Sequence, residues 1–176
     1  MKKKCTALII GLLFCTAIPA KMPASEKSTH IKGVNKILGI KVEAEVTAPD
    51  GMKGPVSSIA GDSIYYENVQ TGEWASYTCV TYMSAEEMEK SYDKNNGDDF
   101  IVEKNHSAGT PSEIEVGGVT GSKRSVEKEN PVTMETEHTI VGILPQGKGC
   151  LVIKSSVDES SYESILTCLK LPQQKQ

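Results

Sequence analysis

Short segments rich in β-branched and aromatic residues, each followed by glycine, proline or asparagine, fill most of the chain after residue 40. The clearest of them is 40–46, where apolar residues alternate with charged ones. A period of two places one face of a strand in a core and the other in water. The repeated succession of strand and turn therefore predicts a sheet-based domain with few helices.

The positions of the strands follow from these segments and from the turn residues between them. Turn residues at 48–51 open a loop rich in glycine and proline that runs to about Pro55. Two aromatic-rich segments joined by Gln70-Thr71-Gly72 predict a β-hairpin. The predicted strands are 40–46, the hairpin segments 63–69 and 73–83, and then 100–105, 113–116, 119–127, 133–144 and 150–155.

Two helices are predicted, each from a local signal. Ser84 and Glu87 form the Ser-x-x-Glu capping box, which begins a helix over 84–92. Over 158–169, apolar residues at helical spacing form one stripe that suits packing against a sheet. Strands in series with two helices indicate an α+β domain, with an antiparallel sheet of six or more strands and both helices packed on it.

The first twenty residues have the features of a secretory signal peptide. Three lysines precede an almost wholly apolar run that is too short to span a bilayer, and Ala20 or Ala24 is the expected last residue before cleavage. Four segments are thus predicted: a signal peptide (1–20), a flexible lead-in (21–35), a single α+β domain (36–172) and a polar tail (173–176).

This leader predicts a periplasmic or secreted protein. Cys15 offers an alternative, because a lipidated cysteine would anchor the chain in the envelope, although the bulky Phe14 precedes it. The rest of the chain contains no apolar segment long enough to be a transmembrane span.

Charge limits the kinds of partner. The chain has 19 Lys and Arg residues and 23 Asp and Glu residues, and loss of the three leader lysines leaves sixteen basic residues and a net charge of −7. Such a domain repels phosphate backbones, which argues against nucleic acid and against anionic membrane surfaces. A protein or another envelope component is the expected partner.

Three cysteines remain after the leader: Cys79, Cys150 and Cys168. An exported compartment permits disulfides. A strand followed by a helix that folds back over it would bring Cys150 near Cys168, so this pair is the predicted bridge. A bridge between Cys79 and Cys150 is the alternative.

No motif for catalysis, a metal or a cofactor is present. The three histidines, His30, His106 and His138, are far apart in sequence and lack the spacing of zinc ligands. A thiol such as Cys79 can still meet a histidine in the fold. A small exported hydrolase or thiol-dependent enzyme is therefore the alternative to a non-catalytic protein.

Aromatic residues are concentrated in the predicted hairpin. Strand alternation places Trp74 and Tyr82 on one face and Tyr77 on the other, so one aromatic face belongs to the core and the other is available for recognition. Tyrosine and tryptophan give large contact areas at low entropy cost. The candidate binding residues are Tyr65, Tyr66, Trp74, Tyr77 and Tyr82.

The order of these elements resembles the PsbP/DcrB-like family of exported α/β sandwich domains. The resemblance rests on the turn at 48–51, the hairpin and capped helix, the glycine-rich segment 114–121, the Gly147-Lys148-Gly149 turn and the final helix. It implies a small non-enzymatic accessory protein and supplies no catalytic residues. The expected function is that of an exported non-catalytic binding or accessory protein of the bacterial envelope.

Overall fold

A computed structural model describes residues 28–93, 106–130 and 132–172. These residues form an α+β domain, as predicted, in which every strand pair is antiparallel. The elements in chain order are β1 (Thr29–Asn35), β2 (Ile40–Val46), β3 (Lys53–Ser57), β4 (Ser63–Glu67), β5 (Trp74–Val80), α1 (Ala85–Asp93), β6 (His106–Ala108), β7 (Ser112–Val116), β8 (Val119–Glu129), β9 (Thr136–Gln146), β10 (Gly149–Ser155), α2 (Glu159–Thr167) and β11 (Leu169–Lys170).

The strands form two sheets. The large sheet has eight strands in the order β3-β4-β5-β10-β9-β8-β6, with β7 also paired to β8. The small sheet has the order β1-β2-β11. An antiparallel sheet of at least six strands is therefore confirmed, as is the β4–β5 hairpin.

The large sheet carries a separate apolar cluster on each face. The small sheet and α2 pack on one face, where Tyr77, Leu151 and Ile153 meet Val42 and Ile165. Helix α1 packs on the other face. Alternation along each strand supplies both clusters, since adjacent residues point to opposite faces.

Both predicted helices are present, and their caps explain where they begin. The Ser84 hydroxyl accepts from the Glu87 amide at 3.3 Å, and a Glu87 carboxylate oxygen accepts from the Ser84 amide at 2.8 Å. Asp158 caps α2 by accepting from the Ser161 amide at 2.7 Å. Helix α2 ends two residues earlier than predicted, because Leu169 pairs with Val46 in the small sheet.

Two parts of the predicted organisation are wrong. The lead-in assigned to 21–35 ends in a strand, β1, which pairs with β2 along its whole length. The loop assigned up to about Pro55 overlaps the first residues of β3, an edge strand of the large sheet. The leader with its cleavage site, the predicted strand 100–105 and the tail 173–176 lie outside the described residues.

The predicted Cys150–Cys168 bridge is also wrong, because the large sheet separates the two side chains. Cys150 is buried under α1, whereas Cys168 caps α2 on the opposite side of the sheet. Cys79 lies opposite Leu151 in the sheet register, with its side chain in the cluster beneath the small sheet, so it faces away from Cys150 as well. All three cysteines are thiols.

This placement predicts different reactivities for the three thiols. In the folded protein at pH 8, an alkylating reagent should modify Cys168 readily and modify Cys79 and Cys150 on the order of a thousandfold more slowly, because the latter two react only when the chain opens. Burial also raises the pKa of both the Cys79 and the Cys150 thiol to about 12. Peptide mapping of timed labelling reactions measures all three rates. Rapid labelling of Cys150, or a peptide that links Cys150 to Cys168, would contradict the arrangement.

Candidate functional site

Helix α1 covers only part of one side of the large sheet. The strand register identifies the side chains on the remaining part of that side. Val56 lies opposite Tyr65, Tyr65 opposite Ser76, and Ser76 opposite Lys154. Residues opposite each other in an antiparallel pair point to the same side. This row continues to Val141, which α1 covers.

Val80, at the end of β5, belongs to the cluster under α1, whereas in the described part of the chain the side chains of β3, β4 and β5 up to Thr78 on this side of the sheet are exposed or half-buried. We call this surface the open face. Its members are half-buried or exposed side chains of four strands: Val56, Ser63, Tyr65, Trp74, Ser76, Thr78 and Lys154.

An aromatic pair lies at the centre of the open face. The rings of Tyr65 and Trp74 stack with their centroids 6.1 Å apart and their planes at 25°. The two residues are diagonal neighbours on adjacent strands, a separation that aromatic side chains can bridge. Both rings are half-buried. Burial raises the pKa of the Tyr65 hydroxyl, and the nearby Glu67 carboxylate adds to the effect.

The other two tyrosines of the hairpin belong to the core. Tyr66 and Tyr77 are buried and meet edge-to-face at 6.3 Å and 85°. The Tyr77 hydroxyl donates to the carbonyl of Ile165 at 3.1 Å, which joins the large sheet to α2, and burial raises its pKa. Neither ring is accessible to a partner of the folded domain.

Tyr82 is separate from both groups. It follows β5, in the loop before α1, and is 51 % exposed. The structure therefore brings together two of the five candidate binding residues, Tyr65 and Trp74.

Sequence analysis did not name five members of the open face, and two of these lie outside the predicted hairpin. Val56 is exposed on β3, a strand that the sequence does not predict, and Lys154 lies on β10, away from the aromatic cluster in sequence. Around the aromatic pair, Lys154 supplies an ammonium group, and Ser63, Ser76 and Thr78 supply hydroxyl groups. The surface is thus apolar at its centre and polar at its margin, the distribution found at protein interfaces.

The structure does not bring the candidate nucleophile to a histidine. Cys79 is buried beneath the small sheet, whereas the Nε2 atom of His106 lies 2.9 Å from the carbonyl oxygen of Tyr92 on the α1 side. His138 is an exposed residue of β9, with Nδ1 3.4 Å from a carboxylate oxygen of Glu127. A buried thiol with a raised pKa is a poor nucleophile.

His138 contributes to a groove of about 380 Å³ between β8, β9 and the start of α2. The groove also contains Lys123, whose ammonium group lies 3.0 Å from a Glu163 carboxylate oxygen, and none of its lining residues is a cysteine. Among residues 28–93, 106–130 and 132–172, no group of three or more acidic, histidine or cysteine side chains is arranged to bind a metal ion. Over the same ranges, neither helix is long and apolar enough to cross a membrane.

Similarity to known proteins was found in the structure and not in the sequence. No family model matches the sequence, and no curated protein matches it. The fold is similar to the solution structure of cyanobacterial PsbP (CyanoP) from Synechocystis sp. PCC 6803, with a TM-score of 0.46 and 8 % identity. The match covers 82 % of this chain and 93 % of that one.

Proposed function

We propose that this chain is an exported, non-catalytic binding protein of the bacterial cell envelope, and that its open face binds a protein partner. The observation that carries the proposal is the stacked Tyr65–Trp74 pair, half-exposed on a sheet surface that is covered elsewhere by α1. The leader predicted from the sequence supports the export part of the proposal.

The chemistry of the open face favours a protein over a small molecule. The face is built from strands rather than from a cleft, whereas small-molecule sites are concave and enclose most of their ligand. Tyrosine and tryptophan are enriched among the residues that contribute most to protein–protein affinity. The stacked rings are also held in place by the sheet, so little side-chain entropy is lost when a partner binds.

The margin of the open face indicates the character of the partner. Lys154 lies next to Ser76 in the row, and the exposed Glu67 lies opposite Trp74. A partner segment with an apolar or aromatic centre and charges of both signs beside it would match this arrangement. Rim charges of this kind act mainly on association rate and specificity.

The test uses photo-crosslinking in exporting cells. A photoreactive amino acid replaces Ser76 on the open face, and a matched control replaces the exposed Glu137, which lies on the same side of the sheet beyond α1. We expect a discrete cross-linked product from position 76 alone. Absence of a product from position 76, or identical products from both positions, would overturn the proposal.

A second variant tests the role of the aromatic pair. Trp74→Ala should lower the yield of that product at least about tenfold, since interface residues of this type contribute roughly 2 kcal/mol or more. Val69→Ala, an exposed apolar residue in the turn between β4 and β5, should leave the yield unchanged. Thermal unfolding of both variants shows whether the domain remains folded. Equal yields from folded Trp74→Ala and wild-type protein would contradict a role for the pair.

A further inference from the structure

A second surface, unrelated to the open face, lies at the turn between β1 and β2. Ile37 is 96 % exposed and Leu38 is 54 % exposed. Within the turn, the Asn35 side chain accepts from the Leu38 amide at 3.1 Å, and Gly39 has a φ of +64°. This turn therefore exposes two large apolar side chains to water.

Two contacts fix the surroundings of this turn. The Asn35 side chain donates to the carbonyl of Thr81 at 3.2 Å, which places the exposed Tyr82 at the same end of the molecule. The Gln146 side chain bonds both backbone groups of Glu43, each at 3.0 Å, so that the turn between β9 and β10 lies beside β2. Residues of the β1–β2 and β9–β10 turns line one shallow groove.

The same end of the molecule is basic, in contrast to the chain as a whole. Lys32, Lys36 and Lys148 are exposed there. A fourth lysine, Lys41, forms an ion pair with Glu43.

Two carboxylates near this end accept hydrogen bonds from neutral donors and keep their negative charges. Asp62 accepts from the Ser58 hydroxyl at 2.7 Å, and Glu87 accepts from the Ser84 amide at the start of α1. The three exposed lysines outnumber these two carboxylates, and Lys36 and Lys148 lie beside Ile37 and Leu38, so the positive charge is local to the two turns.

We propose that this end of the molecule, formed by Ile37, Leu38 and Tyr82 with Lys36 and Lys148 beside them, docks onto an anionic lipid bilayer. Apolar side chains at such a surface enter the boundary between headgroups and acyl chains. Lysines bind the anionic headgroups, and tyrosine is favoured at the level of the interface. The surface combines all three types of side chain within two adjacent turns and the segment after β5.

Charge favours a bilayer over a second copy of the chain. A symmetric dimer through this end would bring the same patch of each copy together, and with it the lysines of both copies. Like charges placed opposite each other are destabilising. An anionic membrane instead supplies the complementary charge.

The test places the single tryptophan at this end of the full-length protein. In a Trp74→Phe background, Tyr82→Trp provides the reporter, and Val132→Trp provides a matched control in the turn between β8 and β9 at the opposite end. Vesicles contain phosphatidylglycerol and brominated phosphatidylcholine. We expect bromine to quench the tryptophan at position 82 and to leave that at position 132 unquenched. The leader is identical in both proteins, so it cannot produce the difference.

Substitutions then test each type of side chain. Ile37→Ser with Leu38→Ser should lower partition into anionic vesicles at least about tenfold, since each buried methylene contributes substantially to interfacial binding. Lys36→Gln with Lys148→Gln should lower it about 25-fold, because each of the two lysines near an anionic surface contributes about fivefold in affinity. Val132→Ser with Met134→Ser, two exposed apolar residues at the opposite end, should have no effect.

Three results would overturn the proposal. Equal quenching at positions 82 and 132 would show binding without this orientation, and no quenching at position 82 would show that this end does not enter the bilayer. A dimer in sedimentation analysis that is lost on Ile37→Ser with Leu38→Ser, without any partition into vesicles, would assign the surface to a second copy of the chain.

Discussion

Replacement of Tyr162 by alanine should lower the free energy of unfolding by about 3–5 kcal/mol, the usual cost of truncating a buried aromatic ring. Tyr162 is fully buried in α2, and its hydroxyl donates to the carbonyl of Ile153 at 3.0 Å. The ring also packs against Gly142, where an added Cβ would lie only 2.5 Å from the hydroxyl oxygen. Truncation therefore leaves a cavity beside β9 and β10 and removes a hydrogen bond between helix and sheet.

Chemical denaturation of the purified protein measures this loss, and Tyr162→Phe serves as the control. Phenylalanine retains the ring and loses only the hydroxyl, so its cost should be about 1 kcal/mol. A loss below about 1 kcal/mol for Tyr162→Ala would show that α2 does not pack on the sheet as described.

The second large effect is expected at the buried Arg124. This residue is 3 % exposed, and its guanidinium donates to Glu89 and, at 2.7 Å, to Asp93. Glu89→Leu removes one partner and leaves the cation buried, which should cost about 3 kcal/mol, the lower part of the range for a broken buried ion pair, because Asp93 remains.

A double substitution separates the ion pair from simple packing. Arg124→Met combined with Glu89→Leu removes both charges, and apolar replacements of a buried pair are often neutral or stabilising. The double variant should therefore be more stable than Glu89→Leu alone in the same denaturation experiment. If its destabilisation equals the sum of the two single effects, Arg124 and Glu89 are not coupled.

The elements that were predicted from the sequence have a periodic or capped pattern of their own. In β2, Ile40, Val42, Ala44 and Val46 are all buried, as the alternation requires. Strand β1 lacks such a pattern, because its inward position 33 is a glycine. A Cβ atom added there would lie 2.9 Å from side-chain atoms of Cys79 and Thr81. Strand β3 is exposed along its whole length and therefore has no apolar face for sequence analysis to detect.

Strand alternation also predicts part of the candidate site. Alternation indicates that Tyr65 and Tyr66 point to opposite faces, but both faces carry aromatics, so it cannot show which face is buried. Covering elements decide this: α2 and the small sheet lie over Tyr66 and Tyr77. The cysteine prediction was wrong because closeness along the chain between β10 and α2 does not show on which side of the sheet each thiol lies.

The position of β2 has a consequence for the kinetics of folding. Val46 pairs with Thr29 on one side and with Leu169 on the other, so nearly the whole described chain lies between its two partners. Pairing over such a long sequence separation slows folding, since the entropy of loop closure is lost before the contact forms. We therefore expect the small sheet to be completed late, and a chain released before Leu169 would leave an edge of β2 open to other strands.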